Sequence, residues 1–141
     1  MKRFVVVDTT VWISALVFGG VPLRALERAA VHYTVAISKE IYEEVVDVFH
    51  REKFVGKVNT SLVVEELNLF LHKAKAEWVS LGGKVTDCLD PKDNKFLDCA
   101  LVAGASLILS SDWHLRSMDP YHGIRILNPQ EFLLAEEQPH H

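Results

Sequence analysis

The run Phe4-Val5-Val6-Val7-Asp8-Thr9-Thr10 decides how this chain is read. Successive side chains of a strand point to opposite faces, so an unbroken apolar, β-branched run marks a strand buried on both sides. Such strands belong to parallel sheets that carry helices on both faces. The run ends on an acid, Asp8. A carboxylate beside a buried strand is costly unless something compensates it.

Outward from this strand, β-like and helical segments alternate. Residues 9–18 read as a helix stopped by Gly19-Gly20. Pro22 suits the first turn of a second helix, 22 to about 32. Residues 33–37 form a second strand, and Ser38 caps a third helix running to about 50. Thr60 or Ser61 opens a long amphipathic helix to about 80, with Leu62, Leu67, Phe70, Leu71, Ala74 and Trp78 near helical spacing. Gly82-Gly83 is a turn, and 84–89 is the weakest strand signal. Asp93 or Asn94 caps a helix ending near Gly104. Residues 106–109 form a strand finishing in Ser110-Ser111-Asp112. A short helix, a final strand at 124–127 and a last helix opened by Asn128-Pro129 complete the chain. The expectation is one α/β domain, with a central parallel sheet of about four to five strands, helices on both faces and right-handed crossovers.

The 141 residues suit one domain. About half are apolar and a quarter charged, the balance of a folded chain rather than a disordered one. No apolar stretch approaches the roughly 20 residues of a membrane span. Met1-Lys2-Arg3 runs straight into the first strand without the pattern of an export signal, so the reading is a cytoplasmic protein with no membrane role. The formal charge of -4, from 15 basic and 19 acidic side chains, argues against a simple basic nucleic-acid binder. Cys88 and Cys99 sit in no CxxC and no Cys/His cluster, so they read as reduced thiols rather than zinc ligands or a disulfide. No HExxH is present, and His140-His141 receive no role.

In an open parallel sheet the ligand crevice lies at the carboxyl ends of the strands. Two strands deliver an acid there, Asp8 and Asp112. The simple alternative for both is helix capping. In the third helix, Ile41, Val45, Val48 and Phe49 form an apolar stripe, and Glu40, Glu43 and Asp47 fall on the opposite, solvated one. Glu44 belongs to neither; it sits at the edge of the apolar stripe. Asp93 opens the next helix, where capping is again the alternative. Asp98 lies about 140° further round that helix and is secondary. Asp87 and Asp90 read as solvated loop acids. Asp8, Glu44, Asp93 and Asp112 have no nucleophile–base partner beside them in sequence. Together they suit one or two hard divalent cations, Mg²⁺ or Mn²⁺, which take oxygen ligands and can serve phosphodiester chemistry. Without a cation, clustered carboxylates repel and at least one pKa rises.

Other phosphate chemistries fit less well. Thr10 occupies the second acid position of the Asp-x-Asp in haloacid-dehalogenase-like phosphatases. No P-loop and no Gly-x-Gly-x-x-Gly follows the first strand. A response-regulator receiver wants paired acids where Val7-Asp8 supplies one.

The stretch from Val5 to Leu16, the segment Ser38-Lys39-Glu40-Ile41-Tyr42-Glu43-Glu44-Val45, the segment Asp90-Pro91-Lys92-Asp93-Asn94-Lys95-Phe96-Leu97 and the triplet Ser110-Ser111-Asp112 resemble, in order, the four motifs of the PIN-domain ribonucleases. The resemblance runs from about residue 3 to 134, and the tail 123–132 is similar to that of the VapC-like branch, the toxin components of toxin–antitoxin pairs. It implies a PIN domain over 1–136 with a tail at 137–141. It implies Asp8, Glu44, Asp93 and Asp112 as both catalytic and metal-holding acids, with Thr10 and Ser110 beside them. Thr10 stands where the family usually has Asn, keeping a hydroxyl and losing an amide. The implied activity is metal-dependent endoribonuclease cleavage of RNA, with an antitoxin protein and a homodimer as partners. The rival readings are an RNA-processing nuclease without an antitoxin and a PIN-fold module that binds RNA or protein without cutting. Lys39, Lys92, Lys95 and Arg116 are candidates to position RNA phosphates. Trp12, Trp113 and Tyr121 are candidates to stack on bases, with core packing the alternative for Trp12. Trp12, Leu16, Val17 and Phe18 are candidates for a dimer surface.

Overall fold

The structure is a computed structural model and describes residues 2–51 and 59–137. Five strands, β1 (Phe4–Val7), β2 (Thr34–Ile37), β3 (Glu77–Trp78), β4 (Leu107–Leu109) and β5 (Arg125–Leu127), form one sheet. Its order is β3-β2-β1-β4-β5, and every pairing is parallel. Val5, Val6 and Val7 are all buried, although neighbours in a strand face opposite ways, so both faces of β1 are covered. The helices around the sheet are α1 (Thr9–Phe18), α2 (Gly20–His32), α3 (Lys39–Arg51), α4 (Thr60–Lys73), α5 (Asn94–Ala103), α6 (Trp113–Arg116) and α7 (Pro129–Glu137). The expected α/β class and parallel sheet are what the chain forms. No single helix among the described residues is long and apolar enough to cross a membrane.

Local chemistry accounts for most boundaries. Gly19 and Gly20 both take positive φ, 70° and 61°, and turn the chain by 113° between α1 and α2. That bend lets α2 begin at Gly20, ahead of Pro22. The Ser38 hydroxyl accepts the Ile41 amide at 3.1 Å and starts α3. Asn59 does the same for α4 through Leu62 N at 3.2 Å. Asn128 and Glu131 bond each other's backbone amides at 2.7 and 2.9 Å, a capping box for α7.

The long helix is shorter than its periodicity suggests. It ends at Lys73, and Lys75 takes a positive φ of 54°. The chain then turns back so that Ala36 pairs with Glu77 and Ile37 with Trp78. Trp78 is therefore a half-exposed edge-strand residue against Tyr42, and it does not continue the helical stripe. Leu62 also faces outward, with Val63, Leu67 and Leu71 buried instead. The segment 84–89 forms no strand. Cys88 and Cys99 are free and buried.

Candidate metal centre

The strand order reverses between β1 and β4, and the crevice at their carboxyl ends is where such sheets hold ligands. β1 ends at Val7 and places Asp8 there; β4 ends at Leu109 and leads through Ser110 to Asp112. A cleft of about 200 Å³ opens at this edge, and Asp8, Glu44, Asp93 and Asp112 all line it. A larger groove of about 450 Å³, bordered by Leu16, Val31, Leu69 and Phe70, is apolar and holds none of these acids.

Asp8 is buried and caps α1: one oxygen, Oδ1, accepts the Val11 amide at 3.2 Å and the Thr10 hydroxyl at 2.6 Å. Ser110 Oγ donates to the other oxygen, Oδ2. Burial pushes the Asp8 carboxyl up, and those hydrogen bonds oppose the push. Ser110 Oγ also accepts the Asp112 amide at 3.0 Å, so one hydroxyl ties the first acid to the last. Glu44 projects from the edge of the buried stripe of α3. Thr9 Oγ1 donates to its Oε2, and Lys95 Nζ lies 2.6 Å from its Oε1.

Asp93 ends a single 3₁₀ turn, Pro91–Asp93, in front of α5. Its side chain makes no capping bond, so the capping alternative does not hold for this acid. It is only 9% exposed, and its Oδ2 is buried without a hydrogen-bond partner. Such an atom is expensive to leave alone. Burial, then the bond to Asp112 and repulsion from Asp112, Asp90 and Asp8, push the Asp93 carboxyl up to about 8. Burial also works to raise Asp112. Hydrogen bonds from Asp93 and from the His114 amide and ring outweigh it and hold Asp112 below the usual range. The two acids titrate as a pair, with Asp93 raised and Asp112 lowered by their mutual hydrogen bond. Asp112 does cap α6, accepting the His114 amide at 2.9 Å.

This donor set is oxygen-rich and clustered, and it contains an orphaned buried carboxylate oxygen. Those properties fit a hard divalent cation. A metal held by these residues would require their deprotonated forms, so its binding would release protons.

The secondary candidates divide. Thr10 and Ser110 both touch Asp8. Asp98 does not line the cleft and accepts the amides of Gly82 and Gly83 at 2.8 and 2.7 Å, which makes it the clamp of that turn. A Cβ on Gly82 would come within 3.3 Å of Asp98 Oδ1, so the turn and the acid approach closely. Among the basic residues, Lys92 lines the cleft. Lys95 is held by Glu44 and by the Lys92 carbonyl. Arg116 pairs with Glu131 at 2.9 Å, and Lys39 is exposed on the first turn of α3. Trp12 is buried against Phe70, so it serves neither base stacking nor a dimer surface. Tyr121 is also buried and donates to Asp87. Trp113 is exposed and stacks on His114.

Thr9, Val48 and Arg51 line the cleft without having been singled out in sequence. Val48 and Arg51 stand four and seven residues after Glu44, the helical spacing of one face, so the signal was available. Asp90 is not simply solvated. Its side chain accepts the Lys92 amide at 3.1 Å, and it lies beside Asp93 and His114.

Among solved structures, the chain is similar to VapBC2 from Rickettsia felis bound to a DNA fragment from their promoter. The TM-score is 0.60 at 15% identity, covering 89% of this chain and 98% of that one. No curated protein sequence matches the chain. The PIN domain family model matches residues 4–114, a span that holds all four acids and both central strands. The chain belongs to the PIN-domain family.

Proposed function

We propose that the protein is an endoribonuclease that depends on Mg²⁺ or Mn²⁺ and hydrolyses RNA phosphodiester bonds. The observation that carries this is Asp93: a nearly buried carboxylate with an unpartnered oxygen, set among three further acids at the switch point of a parallel sheet. Asp8, Glu44, Asp93 and Asp112 would hold the cation. A divalent ion bound there supplies Lewis acidity to the scissile phosphate and to an attacking water. Ser110 and Thr10 fix the two oxygens of Asp8, and Thr9 fixes Glu44. The Thr10 hydroxyl thereby orients Asp8. Lys92 and Arg51 border the cleft and are placed to bind phosphate oxygens.

The toxin role and the antitoxin partner rest on the resemblance of the motifs and tail to the VapC-like branch. The fold's likeness to a VapBC2 assembly supports them. The test is cleavage of a panel of RNAs by the full chain, with circular RNA included to show internal cutting. Cleavage with Mg²⁺ or Mn²⁺, abolished by EDTA and by Asp93→Asn, is the expected result. Binding of RNA without cutting, equal in wild type and Asp93→Asn, would establish the non-cleaving module instead.

A further inference from the structure

Asp90, Asp93 and His114 bring one ligand atom each to within 4.8 Å of the others. They come from three adjoining places: the residue before the 3₁₀ turn, its last residue, and the first turn of α6. The imidazole is held in position. Its Nδ1 lies 3.0 Å from Asp112 Oδ1, and its ring stacks on Trp113 with centroids 4.3 Å apart. A carboxylate that grips a histidine in this way fixes the ring's orientation and raises its basicity toward a metal. Asp93, the most buried of the three, has the unpartnered Oδ2. The four-acid set offers oxygen alone, whereas this trio adds a nitrogen. Mg²⁺ gains little from imidazole, and first-row transition metals gain more.

We infer that Asp90, Asp93 and His114 form a second cation subsite, sharing Asp93 with the four-acid set and selecting a transition-metal ion that accepts imidazole over Mg²⁺. This deepens the proposed metal dependence and rests on it. The subsite sits on the α6 side of Asp93, and Asp112 touches both halves, binding the Asp93 carboxyl on one side and the His114 ring on the other.

The test uses the full chain and Mn²⁺ as the probe, followed by pulsed electron paramagnetic resonance for coupling to ¹⁴N and by thermal shift for affinity. The wild type with two equivalents of Mn²⁺ should show imidazole ¹⁴N coupling. Glu44→Gln should retain it. His114→Ala should abolish it and weaken Mn²⁺ binding about 10-fold or more, with Mg²⁺ binding little changed. Asp90→Asn, which leaves the histidine in place, should weaken Mn²⁺ in the same direction. Bound Mn²⁺ without ¹⁴N coupling in the wild type overturns the subsite and leaves the four-acid reading standing. Coupling that survives in His114→Ala also overturns it, since another histidine is then the ligand. No Mn²⁺ binding at all overturns both readings.

Discussion

Asp93→Asn should make the metal-free protein more stable and the metal-loaded protein less so. The Asp93 carboxyl is raised from 3.8 to about 8 because the side chain is buried beside other acids. At about 1.4 kcal/mol per pKa unit, a single isolated acid shifted this far would cost the fold about 4 kcal/mol at pH 7. Asp112 moves the opposite way because it accepts the hydrogen bond between the two carboxyls, so the net cost of the pair is smaller than that. Asparagine keeps the shape, can donate to Asp112, and removes the charge. The variant in EDTA should therefore melt several degrees higher than the wild type at pH 8. The sign with pH follows from linkage. A group whose folded pKa is raised contributes most below its unfolded pKa, and that contribution is lost as pH rises toward the folded value. The gap between variant and wild type should thus be small near pH 4 and widen up to about pH 8. Saturating Mn²⁺ should then reverse the order, because about 100-fold excess over Kd adds about 2.7 kcal/mol to the protein that binds it. Thermal and urea melts of both proteins, with EDTA and with Mn²⁺, measure all four states. A variant less stable than the wild type in EDTA at pH 8, or an equal Mn²⁺ gain in both, would refute the reasoning.

Mn²⁺ binding between pH 6 and 7.5 should release about one proton, because the ion displaces the one on Asp93; calorimetry in buffers of different ionisation enthalpy reads the release, which should vanish in Asp93→Asn. Asp98→Ala should destabilise the fold by about 2–3 kcal/mol through the loss of two backbone amides on a charged acceptor. Its Mn²⁺-induced rise in melting temperature should match the wild type, and a lost rise would place Asp98 in the metal centre. Lys95→Met removes the cation already seated on Glu44, so Mn²⁺ should bind several-fold more tightly while the metal-free fold loses about 1–3 kcal/mol. Weaker Mn²⁺ binding to this variant would show that Lys95 supports the site rather than competing for it.

The architecture was legible because β1 and β4 are short and fully apolar, β1 followed at once by Asp8 and β4 leading through two serines to Asp112. Period and punctuation sufficed there. The end of α4 was not legible, since Ala74 and Trp78 continue a helical spacing that only the pairing with β2 interrupts. Tertiary hydrogen bonding overrode a local pattern. Glu44 was legible from its place at the edge of an apolar stripe. Asp93 was legible as a helix-start acid, but not as one that leaves its cap unmade and its oxygen unpartnered. Asp98 shows the converse, since helical angle alone cannot tell a cleft-facing acid from one that clamps a glycine turn 16 residues earlier in sequence. Lys95 and His114 took their meaning from partners that no spacing rule connects to them. Lys95 reaches Glu44 across 51 positions, and His114 meets Asp90 and Asp93 only through the fold.

These partners change what the net charge of -4 means. Four acids line one cleft, and two of the bases expected to greet RNA are already engaged: Lys95 by Glu44 and Arg116 by Glu131. The ionised acids of the metal-free cleft work against a phosphate backbone, and Lys92 and Arg51 in its lining work for one. On the proposed chemistry, a divalent ion adds positive charge where the acids converge and competes with Lys95 for Glu44. Lys95 already touches the Lys92 carbonyl, so a Lys95 released from Glu44 would stay near Lys92, which lines the cleft. One binding event then both neutralises the repulsion and frees a base. Coupling of this kind is reciprocal, so RNA must tighten metal binding by the same factor that metal tightens RNA binding. A protein that binds RNA equally well with Mg²⁺ and with EDTA would lack the coupling, and the acids would then have no part in holding the substrate.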